Sequence, residues 1–124
     1  LLGFWVDKGT ADKKALKYLK SLSGQRIGLF GTLGAYPDSE HAKDCAHKVE
    51  DIVAAKNTCL GSFLCQGKID PKLTEMFSKI PKGLPHHMDE ERRKRHEEAA
   101  KHPDGADIAR AVEACAAMVS KAAP

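Results

Sequence analysis

Two aromatic residues beside glycines carry the strongest chemical signal in this chain. Phe4-Trp5-Val6-Asp7-Lys8-Gly9-Thr10 contains the only tryptophan, and Gly31-Thr32-Leu33-Gly34-Ala35-Tyr36 contains one of two tyrosines. Each segment leaves a short apolar run, so each reads as the loop after a strand, as does Cys65-Gln66-Gly67-Lys68. In open α/β sheets, ligands bind outside the carboxyl ends of the strands, where such loops gather. Glycine lets backbone N–H groups approach a ligand closely. Two aromatic side chains facing one crevice suit a flat, conjugated ligand, stacking on its faces while backbone amides bond its polar edge. The same residues also read as plain structure, with Trp5 capping the core and Tyr36 stapling a helix entry.

Other chemistries find less support. His86-His87 sits in a Pro-flanked linker with His96 and His102 nearby, but HExxH or CxxC spacing is absent, so no metal site is expected. Cys45, Cys59, Cys65 and Cys115 stand singly. Cys59 and Cys65 would lie about 20 Å apart along one extended strand, too far for a disulfide. Buried structural thiols in a reducing, cytoplasmic setting fit this usage, with Cys65 at a strand end the one nearest the candidate crevice. No nucleophile elbow or Ser-His-Asp ordering supports hydrolysis. Arg92-Arg93-Lys94-Arg95 is flanked by Glu90-Glu91 and Glu97-Glu98, which reads as a solvated helix face with local charge neutralisation.

Composition sets the frame for these residues. The 124 residues, 42% of them hydrophobic, suffice for one modest domain. Twenty Lys+Arg against seventeen Asp+Glu leave a net charge of +3, without a nucleic-acid signature. Apolar runs fall well short of the roughly 20 residues of a membrane span, so neither nucleic acid nor membrane is an expected partner.

Periodicity supplies the elements that must position the loops. Leu1 to Val6 reads as a strand and Asp7-Lys8-Gly9-Thr10 as a turn. Asp12 to Leu22 reads as a helix with Ala15, Leu16, Leu19 and Leu22 inward. Ile27-Gly28-Leu29-Phe30 is apolar throughout, as strands covered on both faces are. Asp38 or Ser39 caps a helix carrying Ala42, Cys45, Ala46, Val49, Ile52 and Val53. Thr58 to Leu64 forms a third strand, with Cys59, Gly61, Phe63 and Cys65 on one side and Leu60, Ser62 and Leu64 on the other. A short helix from Asp70-Pro71 to Ile80 and a linker at Pro81, Gly83 and Pro85 follow. Asp89 to Lys101 forms an almost wholly polar helix expected in solvent, with pairs such as Glu90–Lys94 and Glu91–Arg95. The last helix, to Ser120, offers Ile108, Ala111, Val112, Cys115, Met118 and Val119 to the core. This βαβ series predicts an α/β fold with a parallel sheet covered on both sides.

The segments Gly3-Phe4-Trp5-Val6-Asp7-Lys8-Gly9-Thr10-Ala11-Asp12, Leu29-Phe30-Gly31-Thr32-Leu33-Gly34-Ala35-Tyr36-Pro37 and Gly61-Ser62-Phe63-Leu64-Cys65-Gln66-Gly67-Lys68-Ile69-Asp70 resemble the short flavodoxin-like family. Within it they are similar to the flavodoxin-like proteins that accompany bilirubin reductase, and the tail His86 to His102 extends the similarity. The resemblance implies a flavodoxin-like open parallel sheet and an FMN-binding electron-transfer protein supplying a partner reductase. Trp5 and Tyr36 would bracket the FMN ring, with Val6, Asp7, Gly9, Thr10, Gly31, Thr32, Leu33, Gly34 and Ala35 around it. An apolar aromatic sandwich would disfavour the reduced anionic ring and lower its potential, whereas Lys8 or Lys68 nearby would act oppositely.

One departure from the family pattern bears on that expectation. Flavodoxins receive the FMN phosphate in a hydroxyl-rich loop at the first helix N-terminus, and no such loop occurs here. The expected domain is therefore residues 1–124 as the C-terminal portion of a flavodoxin-like fold, lacking about 45 upstream residues by the ~30-residue size of a βαβ unit. An exposed strand edge would then invite homo-oligomer pairing. The alternative function is a cofactor-free interaction module on the same fold.

Overall fold

The computed structural model describes residues 1–122. Among them the elements run β1 (Leu2–Asp7), β2 (Thr10–Ala11), α1 (Lys13–Ser21), β3 (Arg26–Leu33), α2 (Glu40–Ala54), β4 (Thr58–Gln66), α3 (Pro71–Ser78), α4 (Glu90–Ala99) and α5 (Gly105–Ala122). The sheet order is β2-β1-β3-β4, with β1, β3 and β4 parallel and the two-residue β2 antiparallel to β1. This is the expected α/β architecture, with β2 as an addition. Lys8 and Gly9, both at positive φ (52° and 82°), make the two-residue turn between β1 and β2. Such a turn matches the right-handed twist of the paired strands.

The main core lies between one face of the sheet and α1 and α2. Phe4, Ile27 and Leu29 meet Ala15, Leu19, Val49 and Val53, all buried. The apolar stripes of both helices fall where their spacing puts them, and Asp12 and Ser39 cap them by accepting from Ala15 N and Ala42 N. The opposite face takes α5, whose Met118 packs between Gly28 and Gly61; a Cβ at Gly28 would stand 2.8 Å from the Met118 sulfur.

Several details differ from the sequence expectation. First, β3 continues through Gly31, Thr32 and Leu33, which pair with β4, so the glycine loop begins only at Gly34. Second, a bulge leaves Leu60 unmatched between the pairs Ile27–Cys59 and Gly28–Gly61. One extra residue resets the strand's alternation, and Cys59 joins Leu64 against the main core rather than sharing a face with Gly61. Third, Phe30 is 40% exposed, because α5 covers β3 and β4 more than the region beside β1. Fourth, α5 is rotated from its expected stripe: Ala111, Cys115 and Met118 turn inward, while Ile108, Val112 and Val119 are exposed.

The polar helix α4 is not a solvated appendage. Arg92 and Arg95 are half-buried and His96 and Ala99 buried, a face at spacing i, i+3, i+4, i+7. Hydropathy cannot reveal a face made of two arginines and a histidine. The Glu90–Lys94 pair forms at 4.0 Å, whereas Glu91–Arg95 is absent from the ion pairs of the described residues.

Candidate functional site

The loops after β1, β3 and β4 converge at one end of the sheet, each held by its own hydrogen bonds. Buried Asp12 caps α1 and accepts from Trp5 N (3.1 Å), while its own N–H donates to the Trp5 carbonyl (2.9 Å). That reciprocal pair pins the backbone from which the indole projects. The Ser39 hydroxyl and N–H both donate to the Tyr36 carbonyl, at 2.6 and 3.1 Å, tying the tyrosine loop to the start of α2. Buried Gln66 donates from Nε2 to the Gly34 carbonyl (3.2 Å), and Gly67 N donates to the Leu33 carbonyl (2.8 Å). A Cβ at Gly34 would lie 2.6 Å from Ile69 Cγ1, so the third loop closes directly onto the second.

Two adjoining crevices open between these loops. One, of about 490 Å³, is lined by Trp5, Asp7, Thr32, Lys68 and Leu73, among others. The second, of about 690 Å³, is lined by Gly9, Ala35, Tyr36, Phe77 and the inward face of α4. Val6, Lys8, Leu33, Gly34 and Ile69 border both. Both volumes fall in the range of roughly 300–1,000 Å³ common for cofactor-sized sites. Trp5 and Tyr36 are 55% and 40% exposed, at the same end of the sheet but in different crevices. Gly31 lies inside β3 against the Phe4 ring. Thr10 lies in β2, its Oγ1 buried without a hydrogen-bond partner among the described residues.

His86 and His96 meet at the Phe77 ring, whereas His102 stands apart in its own carboxylate contacts. His86 stacks on Phe77 with ring centroids 5.4 Å apart and planes 14° apart. His96 Nδ1 bonds the Thr74 hydroxyl at 2.9 Å, and burial followed by the nearby Arg95 and Arg92 charges holds its pKa below the usual imidazole value. His102 lies between Asp107 (Nδ1 to Oδ2, 2.5 Å) and Glu98 (Nε2 to Oε1, 3.1 Å). The bond to Asp107, then that to Glu98, raises its pKa, and His102 in turn lowers the Asp107 carboxyl to about 2.

His102, Asp104 and Asp107 do approach one another, but their polar atoms serve this clasp and the cap of α5. Burial pushes the Cys65 and Cys45 thiols up, which makes them poor nucleophiles at neutral pH. All four cysteines are free.

The sequence reading missed the wall of the second crevice formed by Ile69, Phe77, His86, Arg92, Arg95 and His96. The helical spacing of Arg92, Arg95, His96 and Ala99 was its one local signal, and its polar composition concealed it. Among the described residues, no helix is long and apolar enough to cross a membrane.

A family model described as a flavodoxin domain matches residues 1–116. The chain is 38% identical over 109 residues to the flavodoxin-like domain-containing protein BilS of Clostridioides difficile (strain CD3), covering 86% of this chain and 61% of the relative. It is 32% identical over 120 residues to the BilS protein of Clostridium symbiosum (strain WAL-14163), covering 86% of this chain and 60% of that one. Strand order, loop-built crevices and sequence agreement over most of its length converge: the chain belongs to the flavodoxin domain family.

Proposed function

We propose that this protein binds FMN at the convergent loops and passes reducing equivalents to a partner reductase. The observation that carries this reading is the pair of crevices at the carboxyl ends of β1, β3 and β4, bordered by Val6, Leu33, Gly34 and Ile69 and flanked by Trp5 and Tyr36. The residues fit the ring system of that group. Apolar side chains and an exposed aromatic ring line each crevice, and the positive-φ turn Lys8-Gly9 and the Gly34-Ala35 backbone border them. Bound FMN would supply the electron chemistry. The chain would stack the ring, bond its polar edge through backbone groups and limit water contact.

Flavin binding is typical of the family to which the chain belongs, and the resemblance to proteins accompanying bilirubin reductase favours a reductase as electron acceptor. Such encounters use small, electrostatically steered interfaces. A cytoplasmic setting fits the four unpaired thiols. The chain spans 61% and 60% of the length of the two relatives it matches. Among the described residues, the outer edge of β1 pairs only with two-residue β2, and Trp5 and Phe30 are exposed beside it. These features suit residues 1–124 as one portion of a flavodoxin-like domain whose further strands add at that edge, with a second copy of the chain as the other occupant.

Flavin titration followed by absorbance and fluorescence tests the reading. FMN should bind with quenching of its emission, and Trp5→Ala and Tyr36→Ala should each weaken it about tenfold, the loss expected for one aromatic contact of roughly 0.5–1.5 kcal/mol plus its buried area. A protein that leaves FMN fluorescence unchanged overturns the proposal. That result would favour the cofactor-free interaction module, a reading to which the separation of Trp5 from Tyr36 into different crevices also points.

A further inference from the structure

The larger crevice has an electrostatic character that flavin-ring binding does not use. Arg92 and Arg95 of α4 line it together with Lys8, and none of its lining residues is acidic. Neither arginine pairs with a carboxylate among the described residues, although α4 carries four glutamates. Glu90 takes Lys94 at 4.0 Å, and Glu98 takes Lys101 and His102 at 3.3 and 3.1 Å. The helix therefore spends two of its acids elsewhere and lines the crevice with two half-buried arginines.

One of these cations, Arg92, is oriented before any ligand arrives. The Arg92 guanidinium carbon lies 5.5 Å from the centre of the Phe77 ring, and its NH1 stands 3.5 Å from His86 Nδ1. Phe77 is itself stacked on His86. A partly desolvated guanidinium without a counter-ion is electrostatically unsatisfied, and an oxyanion can accept its parallel N–H donors.

We infer that Arg92 and Arg95, with Lys8, form an oxyanion subsite that receives a phosphate or carboxylate from a ligand whose apolar body rests on Val6, Leu33 and Ile69. Two sources share this chemistry: the phosphate of the flavin itself, or a carboxylate on a second small molecule bound beside it. The phosphate source rests on the flavin reading above; the subsite does not.

The test titrates inorganic phosphate at low ionic strength into the wild-type protein, Arg92→Gln/Arg95→Gln and Arg93→Gln, following histidine imidazole resonances by NMR. Arg93 is exposed and borders a different crevice. Phosphate should shift the His86 and His96 signals of the wild type and of Arg93→Gln, and bind the double variant at least tenfold more weakly, the scale of one lost charge-assisted bond. Equal responses in all three proteins overturn the inference. Arg92→Lys and Arg95→Lys, which keep the charge and lose the fork, should fall between and guard against a folding defect in the double variant.

Riboflavin and FMN then separate the sources. A tenfold preference for FMN that disappears in the double variant assigns the flavin phosphate. Equal flavin affinities with the phosphate response retained exclude the flavin phosphate, and a parallel titration with acetate, weakened in the double variant, then assigns a carboxylate ligand. A phosphate response without any flavin binding leaves the subsite standing and removes the flavin function.

Discussion

Replacing Asp107 by alanine should loosen the junction of α4 with α5 by an amount its hydrogen bonds define. The carboxylate is 2% exposed. It accepts from His102 Nδ1 at 2.5 Å, from Asp104 N at 2.9 Å and from Arg110 NH2 at 2.5 Å, while Asp107 N donates to Asp104 Oδ1 at 2.9 Å. Asp104 and Asp107 thus form a reciprocal capping box, in which the substitution removes the bond from Asp104 N and leaves the Asp104 side chain accepting from residue 107 N. Loss of that arm, with its charge-assisted character, costs about 1–2 kcal/mol. With roughly 2.1 cal/mol/K of unfolding entropy per residue, that is a fall in Tm of about 4–8 °C for a chain of this length.

The pH profile of the same variant gives a second, independent reading. His102 is raised in the folded state, so its contribution is complete below about pH 6.5 and disappears as pH rises through the elevated value. Asp107 is lowered to about 2, so its contribution is complete above the ordinary carboxylate range and disappears as pH falls toward 2. Stability from the clasp should therefore peak between about pH 4 and 6.5. Thermal melts across pH 3 to 9 measure both effects. An Asp107→Ala protein that melts within about 2 °C of wild type, with the same alkaline decline, would refute the reasoning.

Two further substitutions probe the packing that positions the loops. Leu29→Ala, at a position with 0% exposure between β1 and β4, should cost about 2–5 kcal/mol in urea denaturation through lost burial and a residual cavity. Gly31→Ala would set a Cβ 2.8 Å from the Phe4 carbonyl oxygen, which is backbone and cannot swing aside. A loss of about 1–3 kcal/mol is expected, read as a lower urea midpoint with an unchanged slope.

The strands, the first two helices and the candidate loops were legible because their signals are local. The stripe Ala42, Cys45, Val49, Val53 needs only the helical period, and the Asp12 and Ser39 caps need only their own next turn. Trp5 and Tyr36 stood out because strand-end loops cluster wherever a parallel sheet forms. The face reversal of Cys59 was not legible, since a bulge at Leu60 depends on how β4 meets β3 and leaves no mark in hydropathy. The outward turn of Ile108, Val112 and Val119 likewise follows from Met118 entering the gap between Gly28 and Gly61.

The amino-acid sequence alone determined the α/β plan, the family and the loops that meet at one end of the sheet, because periodicity, caps and glycine-aromatic segments act over a few residues. Tertiary structure alone decided that Trp5 and Tyr36 occupy adjoining crevices and that Arg92 and Arg95 line the second one. The reason is physical. A basic helix has no apolar stripe to announce its inward side, so its orientation emerges only when Phe77, Thr74 and the His102 clasp hold it in place.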